Sequence, residues 1–219
     1  MRQRLIQGDV GSGKTIVAFL VMADTAHNGY QSAIMAPTEV LARQHFANIR
    51  KYLSGTGVEI TILTGTTKAS ERRTLLADLA SGKTGIIVGT HALIEDNVVF
   101  KRLGLAIIDE QHRFGVDQRA RLWQKTGTGV PPHILVMTAT PIPRTLAMTL
   151  YGDLDVSVID EMPPGRIPIQ TVQITERQKL QLFHFMREQI AKGHQAYVVY
   201  PMIFINEKLD YKNLESGYE

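Results

Sequence analysis

The 219-residue sequence contains no cysteine and little aromatic side chain, 7% in total with a single tryptophan. Without cysteine the chain can form no disulfide framework, zinc–thiolate site or iron–sulfur cluster, and it has no cysteine nucleophile. Long apolar runs are also missing. The longest, residues 16–23, has eight residues, whereas a membrane-spanning helix needs about twenty. The N-terminus lacks the apolar core of a signal peptide, so we expect no membrane partner.

An excess of charge of one sign is nearly absent as well. Lys and Arg number 24 and Asp and Glu number 21, which leaves a formal charge of +3. This charge permits binding to nucleic acid but does not argue for it. Hydrophobic residues at 44% and charged residues at 21% are typical of a globular protein. At about 150 residues per domain, the length suits one full domain and part of a second.

Short apolar runs alternate with longer stretches of helical periodicity. The apolar runs predict strands over residues 5–7, 33–36, 58–63, 86–88, 105–108 and 134–137. The periodic stretches predict helices over residues 14–27, 40–53 and 70–80. Ser70 is the expected cap of the third helix and Gly82 its expected end. Alternating strands and helices predict an α/β fold, with a parallel sheet covered by helices on both faces.

The composition changes near residue 160. Residues 160–168 contain three prolines and a glycine, which is typical of a linker. Beyond it the pattern predicts a strand over 169–174, a helix over 176–192 that ends at Gly193, and a strand over 196–200. We therefore predict a first domain over 1–160, a linker over 161–168, and the incomplete start of a second domain over 169–219.

A glycine-rich stretch connects the first predicted strand to the first predicted helix. It matches the pattern G-x-x-x-x-G-K-[ST] and reads Gly8-Asp9-Val10-Gly11-Ser12-Gly13-Lys14-Thr15. Glycines let backbone N–H groups wrap closely around a phosphate, and the helix adds its positive N-terminal end. In this pattern the lysine reaches the β- and γ-phosphates, and the hydroxyl of Thr15 binds Mg²⁺. The stretch predicts a nucleotide-phosphate site with Lys14 as a catalytic residue.

Two adjacent carboxylates, Asp109 and Glu110, follow the predicted strand over 105–108. A phosphate-loop site needs a further carboxylate that orients Mg²⁺, at the carboxyl end of a neighbouring strand. Asp109 suits this metal-orienting role, usually through a water, and Glu110 is placed to polarise the attacking water. Both are therefore predicted to be catalytic.

The acidic pair opens the string Asp109-Glu110-Gln111-His112, which resembles the D-E-x-H box of superfamily 2 helicases and translocases. Thr138-Ala139-Thr140 resembles the third motif of that superfamily. The resemblance implies that Gln111, His112 and the three residues of the third motif couple the nucleotide state to contacts with nucleic acid.

Three further strings, each directly after a predicted strand, resemble turns that contact the nucleic-acid backbone in the same superfamily. The first runs from Ala36 to Gln44, and the others are Thr64-Gly65 and Gly89-Thr90-His91. The resemblance implies the following nucleic-acid-binding residues: Pro37, Thr38, Thr64, Gly65, Gly89, Thr90 and His91. Threonine hydroxyls and neighbouring N–H groups at one edge of a sheet suit phosphate contacts.

The details narrow the match. The phosphate loop, the string D-E-Q-H-R-F-G-V over 109–116 and the string T-A-T-P-I-P-R-T over 138–145 resemble the RecG family of bacterial branched-DNA translocases. The transcription-repair coupling factor shares the last two strings, but Ser12 and Gln111 favour the RecG family. The resemblance covers nearly the whole chain and only part of the family's protein.

This resemblance implies an ATP- and Mg²⁺-dependent motor whose DNA partner is branched or forked, in the bacterial cytoplasm, in recombination and repair. ATP would lie between two RecA-like halves, of which this chain carries the first. The second half, which supplies arginine fingers, and the wedge domain are expected in the parent protein. We therefore expect the chain to be weakly active or inactive by itself.

Other functions remain open at the level of the sequence. A GTPase would carry an N-K-x-D box and a transporter ATPase an L-S-G-G-Q string, and the chain has neither. An RNA helicase of the same superfamily is excluded only by the RecG-like strings, and a nucleotide-binding module that is inactive alone is a further alternative. The histidines at 27, 45, 133, 184 and 194 lack metal-ligand spacing and are predicted to be structural.

Overall fold

The computed structural model describes residues 3–109, 125, 129–140, 155–161, 165 and 167–199. The chain divides into two compact units, Met1–Arg166 and Ile167–Glu219. The elements of the first unit alternate between strand and helix along the chain up to the fifth strand. They are β1 (Gln3–Gly8), α1 (Lys14–His27), β2 (Gln31–Met35), α2 (Glu39–Tyr52), β3 (Ile60–Leu63), α3 (Ala69–Ser81), β4 (Ile86–Gly89), the 3₁₀ helix η1 (His91–Ile94), β5 (Leu103–Asp109), β6 (His133–Thr138) and β7 (Asp155–Ile159).

The seven strands form one sheet in the order β3-β4-β2-β5-β6-β1-β7, and each neighbouring pair is parallel. All the carboxyl ends therefore lie at the same edge of the sheet. The six strands and three helices predicted within the first unit are confirmed, with ends that differ by a few residues. The α/β class with a parallel sheet is confirmed too.

Helices cover the sheet on both faces, as predicted. Consecutive strand residues point to opposite faces, so Ala106 and Ile107 belong to two different apolar clusters. The cluster with Ile107 packs under α1 and α2 through Phe19 and Ile49. The cluster with Ala106 is closed by side chains of α3 and η1. Burial on both faces explains why the central strands are apolar at successive positions.

Strand β7 was not predicted from the sequence. It is a short edge strand whose residues are exposed or half-buried, so it lacks the apolar run that identified the others. Its parallel pairing with β1 decides its conformation. Side-chain hydrogen bonds also connect β1 to β7, because the Arg4 guanidinium donates to Ser157 Oγ at 3.0 Å and to Asp155 Oδ2 at 3.4 Å.

One predicted helix cap is wrong and one is confirmed. Helix α3 begins after Lys68, in extended conformation, and no side chain caps it, so Ser70 lies inside the first turn. Gly82 ends the same helix in the left-handed conformation at φ 84°, which glycine adopts without the steric cost of a Cβ.

The second unit contains a short 3₁₀ helix, η2 (Glu176–Gln178), followed by α4 (Lys179–Ala191). Gly193 follows α4 at φ 85°, in agreement with the predicted stop. The strand predicted over 169–174 is wrong, and residues 196–199 form no strand either. Strands need a partner for their backbone groups, and the described part of this unit offers none.

Within the described ranges, no helix is both long and apolar enough to cross a membrane. The same ranges contain no group of three or more His, Cys, Asp or Glu residues arranged to hold a metal ion.

Candidate functional site

Those predicted site residues that the structure describes lie at the carboxyl edge of the sheet. Strand register places Gln7 beside Thr138 and Met137 beside Asp109. The carboxyl ends of β1, β6 and β5 therefore lie side by side. With neighbouring strands about 4.8 Å apart, β1 and β5 are separated by about 10 Å, a distance that a phosphate chain with its metal ion can bridge. The structure thus brings together the phosphate loop, the third-motif residues and Asp109.

The phosphate loop needs glycine for two different reasons. At Gly8 a Cβ would lie 2.6 Å from Ser12 Oγ and 3.2 Å from the carbonyl oxygen of Ile159. The loop and β7 therefore pack too closely around Gly8 to accept a side chain. Gly11 at φ 83° and Gly13 at φ 97° have left-handed backbone, which other L-residues adopt at a cost. Gly13 is also the N-cap of α1, so the loop delivers its N–H groups to the start of a helix.

Lys14 folds back over the loop. Its side chain is buried, and Nζ donates to the carbonyl oxygens of Gly8 at 2.7 Å and Asp9 at 2.8 Å. An ammonium group has three donors, so these two bonds leave one hydrogen for a phosphate oxygen. The bonds fix the position of the positive charge at the mouth of the loop, where a phosphate chain would lie.

The polar groups of the loop fit a bound phosphate. Ser12 Oγ is buried and has no hydrogen-bond partner among the described residues, and buried polar groups are rarely left so without a ligand or water. Thr15 is the second residue of α1 and is half-buried, beside the positive end of the helix. These residues are compatible with a nucleotide triphosphate and Mg²⁺, with Thr15 as the metal ligand.

Asp109 is the last residue of β5 and is largely buried. Its Oδ2 lies 2.7 Å from Nε2 of His45, a buried residue of α2. The placement of Asp109 at the strand end agrees with the predicted metal-orienting role, which stays a prediction. Glu110, Gln111 and His112 lie outside the described residues.

The third-motif residues form a compact turn after β6. Thr138 is buried, and its Oγ1 lies 2.9 Å from Oγ1 of Thr140 and accepts a bond from the Thr140 N–H at 3.2 Å. Ala139 lies between them and is half-buried. The turn lies between the phosphate loop and Asp109 in the strand order, and its coupling role stays a prediction.

The predicted nucleic-acid residues occupy the other half of the same edge, after β2, β3 and β4. Pro37 precedes α2, and Thr38 caps that helix by accepting a hydrogen bond from the Leu41 N–H at 3.3 Å. Thr64 and Gly65 follow β3, where Thr64 is buried and Gly65 exposed. Gly89 ends β4, while Thr90 and His91 lead into η1.

The loops after β2 and β3 are tied together by Glu39. Its carboxylate accepts hydrogen bonds from Thr66 Oγ1 at 2.5 Å and from the Arg43 guanidinium at 2.6 Å. Both hydrogen bonds hold the pKa of Glu39 below its ordinary value, and the one from Thr66 has the larger effect. Arg43 is exposed on α2 and forms an ion pair with Glu39.

Thr90 and His91 differ in exposure. Thr90 is buried, and its hydroxyl has no hydrogen-bond partner among the described residues. Its N–H donates to the carbonyl of Leu63 at 3.3 Å, which joins the turn to the end of β3. The side chain of His91 is exposed and is thus available to a ligand on the surface.

The two glycines of this half make a stability prediction possible. A Cβ on Gly89 would lie 2.4 Å from the Leu63 carbonyl oxygen and 2.7 Å from Leu93 Cγ. We therefore expect Gly89→Ala to lower the free energy of unfolding by about 1–3 kcal/mol.

Gly65→Ala is the matched control. A Cβ there would meet no atom of the described residues within 4 Å, and the φ angle is not left-handed, so we expect a change within about 0.5 kcal/mol. Urea unfolding followed by circular dichroism measures both variants, and equal midpoints would contradict the prediction. Because the fold does not require a glycine at Gly65, the open space there is compatible with the close approach of a ligand.

His45 is the functional candidate that sequence reasoning missed. It was predicted to be structural because it lacks metal-ligand spacing. A usable signal was present in its position, because it lies on the apolar stripe of α2 in register with Ile49, where both are buried. A polar residue on a buried stripe needs a hydrogen-bond partner, and only the tertiary structure shows that this partner is Asp109.

A cavity of about 700 Å³ lies at the opposite, amino edge of the sheet. Its lining includes Asp24, Tyr30, Glu59, Lys83 and Arg102. None of the predicted site residues that the structure describes lines it, and its charges are of both signs. Those residues lie at the carboxyl edge of the sheet instead.

Residues 1–149 match the DEAD/DEAH box helicase family. The chain is similar to the ATP-dependent DNA helicase RecG of Synechocystis sp., with 53% identity over 209 residues, which cover 95% of this chain and 25% of that protein. It is also similar to RecG of Bacillus subtilis, with 49% identity over 215 residues, 98% of this chain and 31% of that protein. The chain thus spans about a quarter to a third of the length of these relatives.

The chain is also similar to solved structures of helicases. The structure of RecG bound to a three-way DNA junction matches with a TM-score of 0.77 and 43% identity, over 92% of this chain and 27% of that one. The helicase domain of Pyrococcus furiosus Hef matches with a TM-score of 0.56 over 88% of this chain and 51% of that one. Because only 18% of the residues are identical, this match is evidence for the fold alone. That fold is the RecA-like helicase domain.

Proposed function

Because the chain belongs to the DEAD/DEAH box helicase family, we propose that residues 1–160 form the first RecA-like motor domain of an ATP-dependent DNA helicase. The likeness to RecG over most of the chain supports this choice within the family. Residues 161–168 then act as a linker, and residues 169–219 belong to the second RecA-like domain of the same parent protein.

The observation that carries the proposal is the convergence at the carboxyl edge of β1, β6 and β5. A phosphate loop with a buried lysine, a hydroxyl turn and a buried carboxylate leave adjacent strands there. This is the arrangement that a phosphoryl-transfer site needs, since its catalysis rests on positioning and charge stabilisation. The other strand ends on the same edge carry the residues proposed to contact nucleic acid.

Each residue has a distinct part in the proposed nucleotide site. The backbone of residues 8–13 holds the phosphates, and Lys14 Nζ neutralises the β- and γ-phosphate oxygens. Thr15 Oγ1 and, through water, Asp109 hold Mg²⁺. When bound, this ion neutralises charge that develops on the phosphates. Glu110 polarises the attacking water.

On the second half of the edge, the proposed partner is a DNA backbone. In the turns after β2, β3 and β4, hydroxyl donors to phosphates come from Thr38, Thr64 and Thr90, and N–H donors come from Gly65, Gly89 and His91. Pro37, which has neither kind of donor, contacts the backbone through its ring. Such contacts position the protein without reading sequence. The third-motif turn and, with it, Gln111 and His112 relay the nucleotide state to these contacts.

The proposed substrate is branched or forked DNA, as at stalled forks and Holliday junctions, in the bacterial cytoplasm. A relative at 43% identity was solved on a three-way junction, which supports this choice over a single strand or RNA. In this proposal the second motor half and a wedge domain of the parent protein complete the machine. The described part of α4 agrees with a larger second domain, because it buries none of its residues.

Nucleotide binding by the 219-residue chain tests the proposal. We expect Lys14→Ala to weaken binding of a fluorescent ATP analogue in Mg²⁺ about 10- to 100-fold, since charge-assisted hydrogen bonds contribute about 1.5–3 kcal/mol. Fluorescence titration measures the dissociation constant.

Lys51→Ala is the matched control, because Lys51 is an exposed lysine in the last turn of α2. It removes the same charge and should leave the dissociation constant unchanged. If the two variants bind the analogue equally well, the phosphate-loop assignment is wrong.

A further inference from the structure

The hydrogen bond between His45 and Asp109 joins the two halves of the carboxyl edge. Strand β5 is the neighbour of β2, so Asp109 is the last residue of the nucleotide half and α2 is the first helix of the nucleic-acid half. The bond, Nε2 to Oδ2 at 2.7 Å, connects positions 64 residues apart in the chain. The described residues thus include a direct polar contact from the metal-orienting carboxylate to α2.

Both partners are held in place by burial. The side chains of His45 and Asp109 are only 8% and 13% exposed. The ring of Phe19, from α1, contacts the His45 ring edge-on, with centroids 6.3 Å apart and an interplanar angle of 90°. Because a carboxylate oxygen can only accept a hydrogen bond, Nε2 of the His45 ring donates its hydrogen to Oδ2 of Asp109.

Helix α2 leads from this contact to the proposed DNA residues. Thr38 caps its first turn, and Glu39 ties that turn to Thr66 in the loop after β3. His45 lies less than two helical turns from Thr38. A helix moves as a rigid element over such a distance, so a displacement of the His45 ring displaces the capped turn and the loop bonded to it.

We propose that His45 is a positioning residue that orients the Asp109 carboxylate for the Mg²⁺–nucleotide complex and transmits its position through α2 to the Thr38 and Thr66 turns. The inference rests on the proposed function. It assigns a second connection between the two halves, in addition to the third-motif turn. His45 itself touches neither nucleotide nor DNA.

The physical reason is the same one that fixes the orientation of metal-binding groups in general. A carboxylate with one oxygen bonded to a fixed donor keeps the other oxygen aimed at the metal or its water. Removal of such outer partners typically costs 10- to 100-fold in metal affinity. The effect therefore concerns Mg²⁺ and not the phosphate contacts, which Lys14 and the loop make.

Three variants of the 219-residue chain separate this role from simple packing. His45→Leu fills the buried space without a donor. His45→Gln keeps an N–H donor near the position of Nε2. Ile49→Val trims a fully buried residue on the same face of α2 without touching Asp109, and it serves as the packing control. Circular dichroism and thermal unfolding first verify that each variant is folded.

The first measurement is the Mg²⁺ concentration that gives half-maximal binding of a fluorescent ATP analogue. We expect His45→Leu to raise this concentration about 10- to 100-fold, while binding without Mg²⁺, in EDTA, stays unchanged. His45→Gln should stay close to the unsubstituted chain, and Ile49→Val should not shift it. Equal shifts for His45→Leu and Ile49→Val, or no shift for His45→Leu, overturn the positioning role.

The second measurement is amide hydrogen exchange over residues 39–44, with and without the Mg²⁺–nucleotide. We expect nucleotide to change the exchange of these amides in the unsubstituted chain and in His45→Gln, but not in His45→Leu. No change in the unsubstituted chain overturns transmission through α2.

The failure of the proposed function gives a different result. A chain that binds no nucleotide, or binds it equally well after Lys14→Ala, overturns the proposed function and this inference with it. A chain that binds nucleotide through Lys14 but is indifferent to His45 overturns the inference alone.

Discussion

The 219-residue chain by itself is expected to hydrolyse ATP about 10³- to 10⁵-fold more slowly than a full-length RecG relative on forked DNA, because arginine fingers contribute a factor of that size. In the proposed function these arginines belong to the second RecA-like half of the parent protein. There the phosphate loop, Lys14 and Asp109 bind and orient the nucleotide, and the arginines of the second half supply the further charge that stabilises the transition state.

Steady-state ATP hydrolysis, with and without forked DNA, measures this difference against full-length RecG from Bacillus subtilis. Lys14→Ala reports any contaminating ATPase, since only activity that the variant loses belongs to the chain. Strong DNA-stimulated turnover that depends on Lys14 would contradict the prediction. It would mean that the catalytic arginine comes from this chain or from a second copy of it.

The second large effect is expected at Phe19, which packs between α1 and α2. Its side chain is 2% exposed and contacts the rings of His45 and Tyr52 at centroid distances of 6.3 and 6.0 Å. Phe19→Ala should lower the free energy of unfolding by about 3–5 kcal/mol, through lost burial and the cavity left behind. Urea unfolding followed by far-ultraviolet circular dichroism measures the loss.

Tyr52→Ala is the matched control for Phe19→Ala. It removes an aromatic ring from the same contact, but Tyr52 is 60% exposed, so the loss should stay below about 1 kcal/mol. A Phe19→Ala variant that is as stable as Tyr52→Ala would show that the α1–α2 contact contributes little. Phe19 would then contribute little to the packing of α1 and would not hold the His45 ring in place.

The comparison of Ile107 with Val156 shows why most of the sheet was predictable and one strand was not. Ile107 belongs to a run that is buried on both faces, so its apolar pattern is a direct consequence of its environment. Val156 lies in β7, which is half-exposed at the edge beyond β1. Pairing with β1 holds that strand, and pairing is a long-range interaction that a local pattern does not record.

The helix ends were likewise predictable only in part from the local sequence. Gly82 and Gly193 were recognisable as stops because a left-handed residue after a helix favours glycine. The cap of α3 was assigned to Ser70, a residue type that often caps helices, yet the cap position is Lys68, two residues earlier, and no side chain caps the helix.

The sequence by itself determined the motor chemistry that is proposed here. The spacing from Gly8 to Thr15 and the acidic residue after an apolar strand are local patterns. They can be recognised in the sequence because phosphate binding requires these residue types close together in the chain. Their order along parallel strands also predicted that they share one edge.

Only the tertiary structure decided which strands are neighbours and what each buried polar group contacts. The order β3-β4-β2-β5-β6-β1-β7 separates the edge into two halves, and the contact of His45 with Asp109 joins them. Neither follows from a local pattern, because a hydrogen bond between residues distant in the chain depends on how the strands and helices pack.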